Sequence, residues 1–187
     1  MQEQSVNPYE PPQSSVETSA EITTSEYFFS TSTFKLSVMS ICTFGLYELY
    51  WFYRNWVLIR ERTGQKIMPF WRAFFAPLWA YSCFSHIKKA ANENDVPESL
   101  FLGLLAFLYF ILSALWRIPD PYWLVSYLTF LFVIPANNVA TSINEKLVPD
   151  FTNNRKFSGW NWLVVVLGGL LFLLSLVGTF MPELAEP

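Results

Sequence analysis

The chain has 187 residues, of which 52% are apolar, 19% aromatic and only 14% charged. Soluble domains carry about 25% charged residues, so this composition argues against an ordinary soluble enzyme. It also excludes a disordered chain, a collagen-like fibre and a disulfide-rich secreted domain. The formal net charge of −3 divides unevenly along the chain. Residues 1–33 hold five acids (Glu3, Glu10, Glu17, Glu21, Glu26) and no Lys or Arg, whereas residues 34–182 hold all 12 basic residues against 8 acids. Those basic residues sit beside apolar segments, a pattern of membrane orientation rather than of a nucleic-acid footprint.

Residues 1–33 read as an acidic, proline-containing tail. Asn7-Pro8-Tyr9-Glu10-Pro11-Pro12 opens it, and a Ser/Thr/Glu-rich stretch continues to about Ser32. Such a segment buries too little apolar surface to offset its ordering entropy and is expected to be a disordered tether. Pro8-x-x-Pro11 is the alternative, a docking peptide in extended polyproline form. The tail lacks the basic and apolar regions of a signal peptide.

Five apolar stretches follow. The first, 34–56, is long enough to span a bilayer, but Gly45 sits midway with Glu48 beside it. Its cluster of Tyr47, Tyr50, Trp51, Tyr53 and Trp56 suits a membrane interface. Residues 60–66 are aqueous, with Gly64 as a helix stop. The second stretch, 67–87, contains Arg72 and Pro77 and ends at His86, Lys88 and Lys89. The third, 100–118, is free of charge up to Arg117. Pro119-Asp120-Pro121, flanked by Trp116 and Trp123, then predicts a tight interfacial turn. The fourth, 122–143, is interrupted by Pro135 and Asn137-Asn138. The fifth, 160–181, is charge-free, and residues 183–187 form a short polar end. Cys42 and Cys83 lie within apolar stretches and read as reduced, small hydrophobic residues.

The fold class expected is an all-α integral membrane protein with four to five hydrophobic helical segments, some broken or re-entrant, over 34–182. One internal echo bears on topology. Residues 92–98 (Asn92-Glu93 then Val96-Pro97-Glu98) match residues 144–150 (Asn144-Glu145 then Val148-Pro149-Asp150). A true repeat would make two tandem helical hairpins and require segment 67–87 to cross the membrane. The basic residues at 54–72, 88–89 and 146–156 instead ask for three loops on the cytoplasmic side, which holds only if 67–87 turns back. Both arrangements put the 119–121 turn and the C-terminus on the non-cytoplasmic side.

Thr43-Phe44-Gly45-Leu46-Tyr47-Glu48-Leu49-Tyr50-Trp51-Phe52-Tyr53 resembles the T-x-G-[IL]-Y-x-[LI]-Y-W-x-Y signature of a family of small bacterial inner-membrane proteins of unassigned activity. The start Asn-Pro-Tyr-x-Pro-Pro at Asn7 to Pro12 also resembles proteins of that kind. The resemblance is strongest over residues 34–72. It implies a bacterial inner membrane and a cytoplasmic tail, and it transfers no catalytic residue. With a cytoplasmic tail, 34–56 becomes a helix, a break at Thr43-Phe44-Gly45 and a second helix. The alternative is a translocated tail.

Ionisable groups inside a membrane are functional candidates by default. Here they are Glu48 and Arg72, either paired with each other or, respectively, interfacial and snorkelling. Asn137 and Asn138, after Pro135, either line a polar cavity or bond between helices; with Glu48 and Arg72 they form the candidate intramembrane polar site. No hydrolase, nucleotide-binding or metalloprotease motif is present, and neither a cofactor nor a metal site is expected. The partners expected are the lipid bilayer and other membrane proteins or a second copy, with no nucleic acid. Two functions fit: an accessory or scaffold component of the membrane, or a small transporter or channel whose broken helices line a polar site.

Overall fold

The computed structural model describes residues 26–181. The expected disorder of residues 1–25 and the polar end 183–187 lie outside the described residues. Among the described residues the chain is helical and forms no sheet; one isolated parallel bridge joins Thr31 to Asn154. The elements are α1 (Thr33–Cys42), α2 (Leu46–Thr63), α3 (Pro69–Phe74), α4 (Ala76–Glu93), α5 (Leu102–Ala114), α6 (Phe130–Leu147) and α7 (Gly159–Phe180). Two 3-10 helices, Leu115–Arg117 and Tyr122–Thr129, flank the Pro119-Asp120-Pro121 turn.

The break in the first apolar stretch falls where the sequence places it. Gly45 takes a left-handed conformation (φ 83°) that suits glycine, and its N–H closes on the Ser40 carbonyl at 2.9 Å. Thr43 joins the two helices. Its hydroxyl donates to the Met39 carbonyl at 2.6 Å and accepts the Tyr47 N–H at 2.9 Å. The Met39 carbonyl also accepts the Thr43 N–H at 2.9 Å, so one residue closes the end of α1 twice and supplies an orphan donor of α2 with an acceptor. Gly64, also left-handed (φ 65°), ends α2.

The second stretch folds the same way. Pro69 opens α3, the chain bends at Phe75, and Pro77 stands in the first turn of α4, where its missing N–H costs nothing. Its two ends lie together: Gln65 and Lys89 line one hollow with Arg62 and His86. Its middle, Phe74 and Pro77, lies at the opposite end of α2 with Gly45 and Glu48. The segment therefore runs along α2 to its Gly45 end and returns to its Gly64 end. The tandem-hairpin expectation is corrected accordingly. α4 packs on α5, but the main partner of α7 is α1 rather than α6, and Asn92 is exposed where Asn144 is fully buried.

The third and fourth stretches form the hairpin expected at 119–121. α6 runs through Pro135 without a break, so the interruption read there is also corrected. Among the described residues two helices are long and apolar enough to cross a membrane, Tyr122–Leu147 (26 residues, mean hydropathy 1.4) and Gly159–Phe180 (22 residues, mean hydropathy 2.6); Leu102–Arg117 is apolar but shorter. α7 buries none of its residues within the chain. The core lies between α2, α4, α5 and α6, built on Trp51, Phe52, Trp56, Phe84 and Val133.

The loop between α4 and α5 is fastened by Glu98. Its carboxylate accepts the Leu100 N–H at 2.6 Å and pairs with the Lys88 ammonium at 3.0 Å. Lys88 also donates to the Leu100 carbonyl at 3.0 Å. The backbone N–H of Leu100 first, and Lys88 with it, hold the Glu98 carboxyl below its ordinary value. The folded group titrates lower than the unfolded one. Its stabilising contribution is therefore intact above the ordinary carboxylate range of about 4.3 and is lost as pH falls through the depressed folded value. The protection factor of the Leu100 amide is expected to fall in that acid window. Glu98→Gln should remove the pH dependence; an unchanged acid limb in that variant would reject the assignment.

Candidate functional site: an asparagine clamp and a carboxylate cleft

The four residues expected to form one polar site occupy three places. Asn137 belongs to the first. Residues 27–32, which the sequence places in the disordered tail, form a non-helical strap, bent at Tyr27 and Phe28 and extended beyond them, that is buried among the helices; Phe28, Phe29, Ser30 and Thr31 are all buried. Among the described residues the packed region therefore takes in the strap from Tyr27 onward, rather than starting at 34. An extended backbone in the interior exposes donors and acceptors that no helix satisfies. Three buried asparagines supply the partners. Asn144 Oδ1 accepts the Tyr27 and Phe28 N–H groups at 2.7 and 2.9 Å, and its Nδ2 donates to the Phe28 carbonyl at 2.6 Å. Asn55 accepts the Phe29 N–H and donates to the Phe29 carbonyl, both at 3.1 Å. Asn137 accepts the Thr31 N–H at 3.0 Å and donates to the Thr31 carbonyl at 2.7 Å. Each carboxamide thus stands in for a neighbouring strand. Trp51 Nε1 adds a third bond to Asn137 Oδ1 at 3.0 Å. Asn137 is spent on the strap and does not line a polar cavity. Asn138, next to it, is exposed and accepts the Thr33 hydroxyl at 3.2 Å.

Glu48 belongs to the second place. It lies in the first turn of α2, 2% exposed, where Thr129 donates to its Oε1 at 2.9 Å. Thr129 has one proton and two acceptors, since the Ser126 carbonyl is 3.1 Å away. Glu48 lines a cleft of about 440 Å³ with Ser113, Ser126, Trp116, Trp123 and Tyr127. Tyr109, whose side chain is buried, lines the same cleft beside it. Both chain breaks reach it: Phe44 and Gly45 from one, Phe74 and Pro77 from the other.

Arg72 is the third place. Its half-buried guanidinium sits between the Trp56 and Trp79 rings, 4.5 and 4.4 Å from their centroids, a cation–π sandwich. The Glu48–Arg72 pair is not formed. The ion pairs among the described residues are Lys88–Glu98 and Lys89–Glu93.

Sequence reasoning missed Asn55 and the strap. The available signal was three aromatics in a row, Tyr27-Phe28-Phe29, at the end of a polar tail, together with single asparagines inside apolar helices. Comparison with protein-family models, curated proteins and solved structures finds no match to the chain.

Proposed function

We propose that this chain is a small multi-pass protein of a bacterial inner membrane that takes a small solute into the Glu48 cleft, in the manner of a transporter or solute-binding membrane protein. The observation that carries this reading is the convergence of both chain breaks on one buried carboxylate. Broken helices at membrane depth are tolerated where protein or a cavity satisfies them, and in transporters such breaks build the binding site. In this reading α1–α2 and α3–α4 are two re-entrant hairpins, and α5, α6 and α7 are the crossings. Lys35, Arg60, Arg62, Lys66, Lys146 and Lys156 then share the cytoplasmic side with the tail. The 119–121 turn, the cleft mouth at Trp116 and Trp123, and the C-terminus face the other side. The asparagine-clamped strap closes the cytoplasmic half below the cleft.

Thiol access tests this. In a background with Cys42→Ala and Cys83→Ala, single cysteines at Ser126 and Asp120 are expected to react with a membrane-impermeant reagent applied to intact cells. A cysteine at Thr31 should stay protected. A cysteine at Ser126 that reacts from neither side would mean that water does not enter the cleft, and the solute-binding reading would fall.

The accessory reading keeps one specific observation: no residue of α7 is fully buried within the chain. A photoreactive residue at Leu170 or Leu174, both more than half exposed, distinguishes lipid from protein around it. A reproducible protein adduct supports a partner; lipid adducts alone reduce α7 to an anchor.

A further inference from the structure

The cleft holds a carboxylate with no cation among the described residues to balance it. All 12 Lys and Arg residues of the chain lie among the described residues, because residues 1–25 and 182–187 contain none. None stands within ion-pair distance of Glu48, since the ion pairs among the described residues use Glu93 and Glu98. Arg54, the cation nearest in sequence, lies over the Phe29 ring at 5.9 Å and does not line the cleft, and Arg72 is held between Trp56 and Trp79. Arg117, near the rim, is stacked on Trp116 at 4.9 Å from its centroid and does not line the cleft. A buried carboxylate is expensive unless a charge or several donors offset its desolvation. Glu48 accepts from the Thr129 hydroxyl, and Thr129 divides its proton between Glu48 and Ser126.

The surroundings fit the missing partner. Trp116, Trp123, Tyr127 and Phe44 are aromatic, and the Ser113 and Ser126 hydroxyls are the further polar groups beside them. Aromatic faces attract ammonium groups, the more so when water is excluded. No lysine or arginine lines the cleft to repel one. A concave, largely apolar site with a few convergent polar groups is the usual form of a small-ligand pocket.

We propose that the cleft is a site for an organic ammonium ion carrying an apolar or aromatic substituent. Glu48 receives the charge, the Ser113 and Ser126 hydroxyls take up the remaining N–H donors, and Trp116, Trp123 and Tyr127 form the walls. This rests on the reading of the cleft as a solute site and specifies its ligand class. The ammonium has two available sources, a free amine in solution or the headgroup of phosphatidylethanolamine.

The test uses the full chain in nanodiscs of phosphatidylglycerol alone, and in parallel nanodiscs containing phosphatidylethanolamine. Equilibrium dialysis measures binding of radiolabelled 2-phenylethylammonium and of its neutral counterpart 2-phenylethanol. Saturable binding of the ammonium in phosphatidylglycerol discs is expected, at least tenfold tighter than that of the alcohol. Glu48→Gln, which keeps shape and removes charge, should weaken the ammonium at least tenfold and leave the alcohol unchanged. Loss of ammonium binding in the phosphatidylethanolamine discs assigns the site to the lipid headgroup; equal binding in both assigns it to a free amine. If the two probes bind equally well, the cation assignment is overturned and the solute cleft stands. If neither binds, both readings fall. The comparison of the two probes on the unaltered protein needs no variant, so it holds even if Glu48→Gln fails to fold.

Discussion

Asn137→Ala is expected to be among the most damaging single substitutions in the chain. It strands the Thr31 N–H, the Thr31 carbonyl and Trp51 Nε1 at once, in a fully buried position. Each buried group left without a partner costs about 1–3 kcal/mol, and losses on one carboxamide are not additive, so about 3–5 kcal/mol is expected in all. The adjacent Asn138→Ala is the control. Its side chain is exposed and holds one bond to Thr33, so its effect should stay within about 0.5 kcal/mol. Asn137→Asp separates the two halves of the carboxamide. It keeps the acceptor for Thr31 and Trp51 but sets an oxygen against the Thr31 carbonyl, and should fall between the two. Unfolding of the three variants in one detergent gives the ranking. Similar midpoints for the variants at 137 and 138 would show that the strap is not held by Asn137. The same reasoning makes removal of residues 26–32 damaging, although composition alone gave them a tether's role.

What could be read in the sequence is local. The Thr43-Phe44-Gly45 break, the Gly64 stop, the 119–121 turn and the apolar run of α7 each depend on residues within a few positions of one another. The structure puts all four within a residue or two of expectation. The misread features depend on distance along the chain. The strap's backbone partners lie 26 residues away at Asn55 and 106 or more away at Asn137 and Asn144. No periodicity in residues 27–32 announces them. Pro135 was read as a break because proline removes a hydrogen bond and crowds the preceding turn. In α6 the packing of Val133, Ala136, Val139 and Ala140, all buried, outweighs that loss. Glu48 was legible as an intramembrane carboxylate. Its environment was not, because Tyr109 and Thr129 come from α5 and from the helix leading into α6. The opposite charge that sequence offered, Arg72, is satisfied by indole rings instead.

Gly168→Ala should destabilise the protein where Gly169→Ala does not, although the two glycines are neighbours in the middle of α7. On helix propensity alone, alanine for glycine gains up to about 1 kcal/mol at either site. Contacts reverse the sign at one of them. A Cβ on Gly168 would land on the carbonyl oxygen and carbon of Cys42, the last residue of α1. That is backbone, which cannot rotate aside, so α1 and α7 must separate. A Cβ on Gly169 would meet only the Cys42 sulfur at 3.8 Å, an ordinary contact. Overpacking of this kind costs about 1–3 kcal/mol, which exceeds the propensity gain. α1 holds its place in the bundle through this close approach, as small residues allow between membrane helices, and through Lys35, which donates to Asn154 Oδ1 and the Lys156 carbonyl at 2.8 Å each. Lifting α1 off α7 would disturb the Thr43 joint and with it the Gly45 edge of the cleft. Alkylation of the native Cys42 thiol reads the separation directly. It should quicken in Gly168→Ala and remain unchanged in Gly169→Ala, alongside a lower unfolding midpoint for the first variant only. Equal midpoints and equal alkylation rates in the two variants would sink the close approach of α1 to α7.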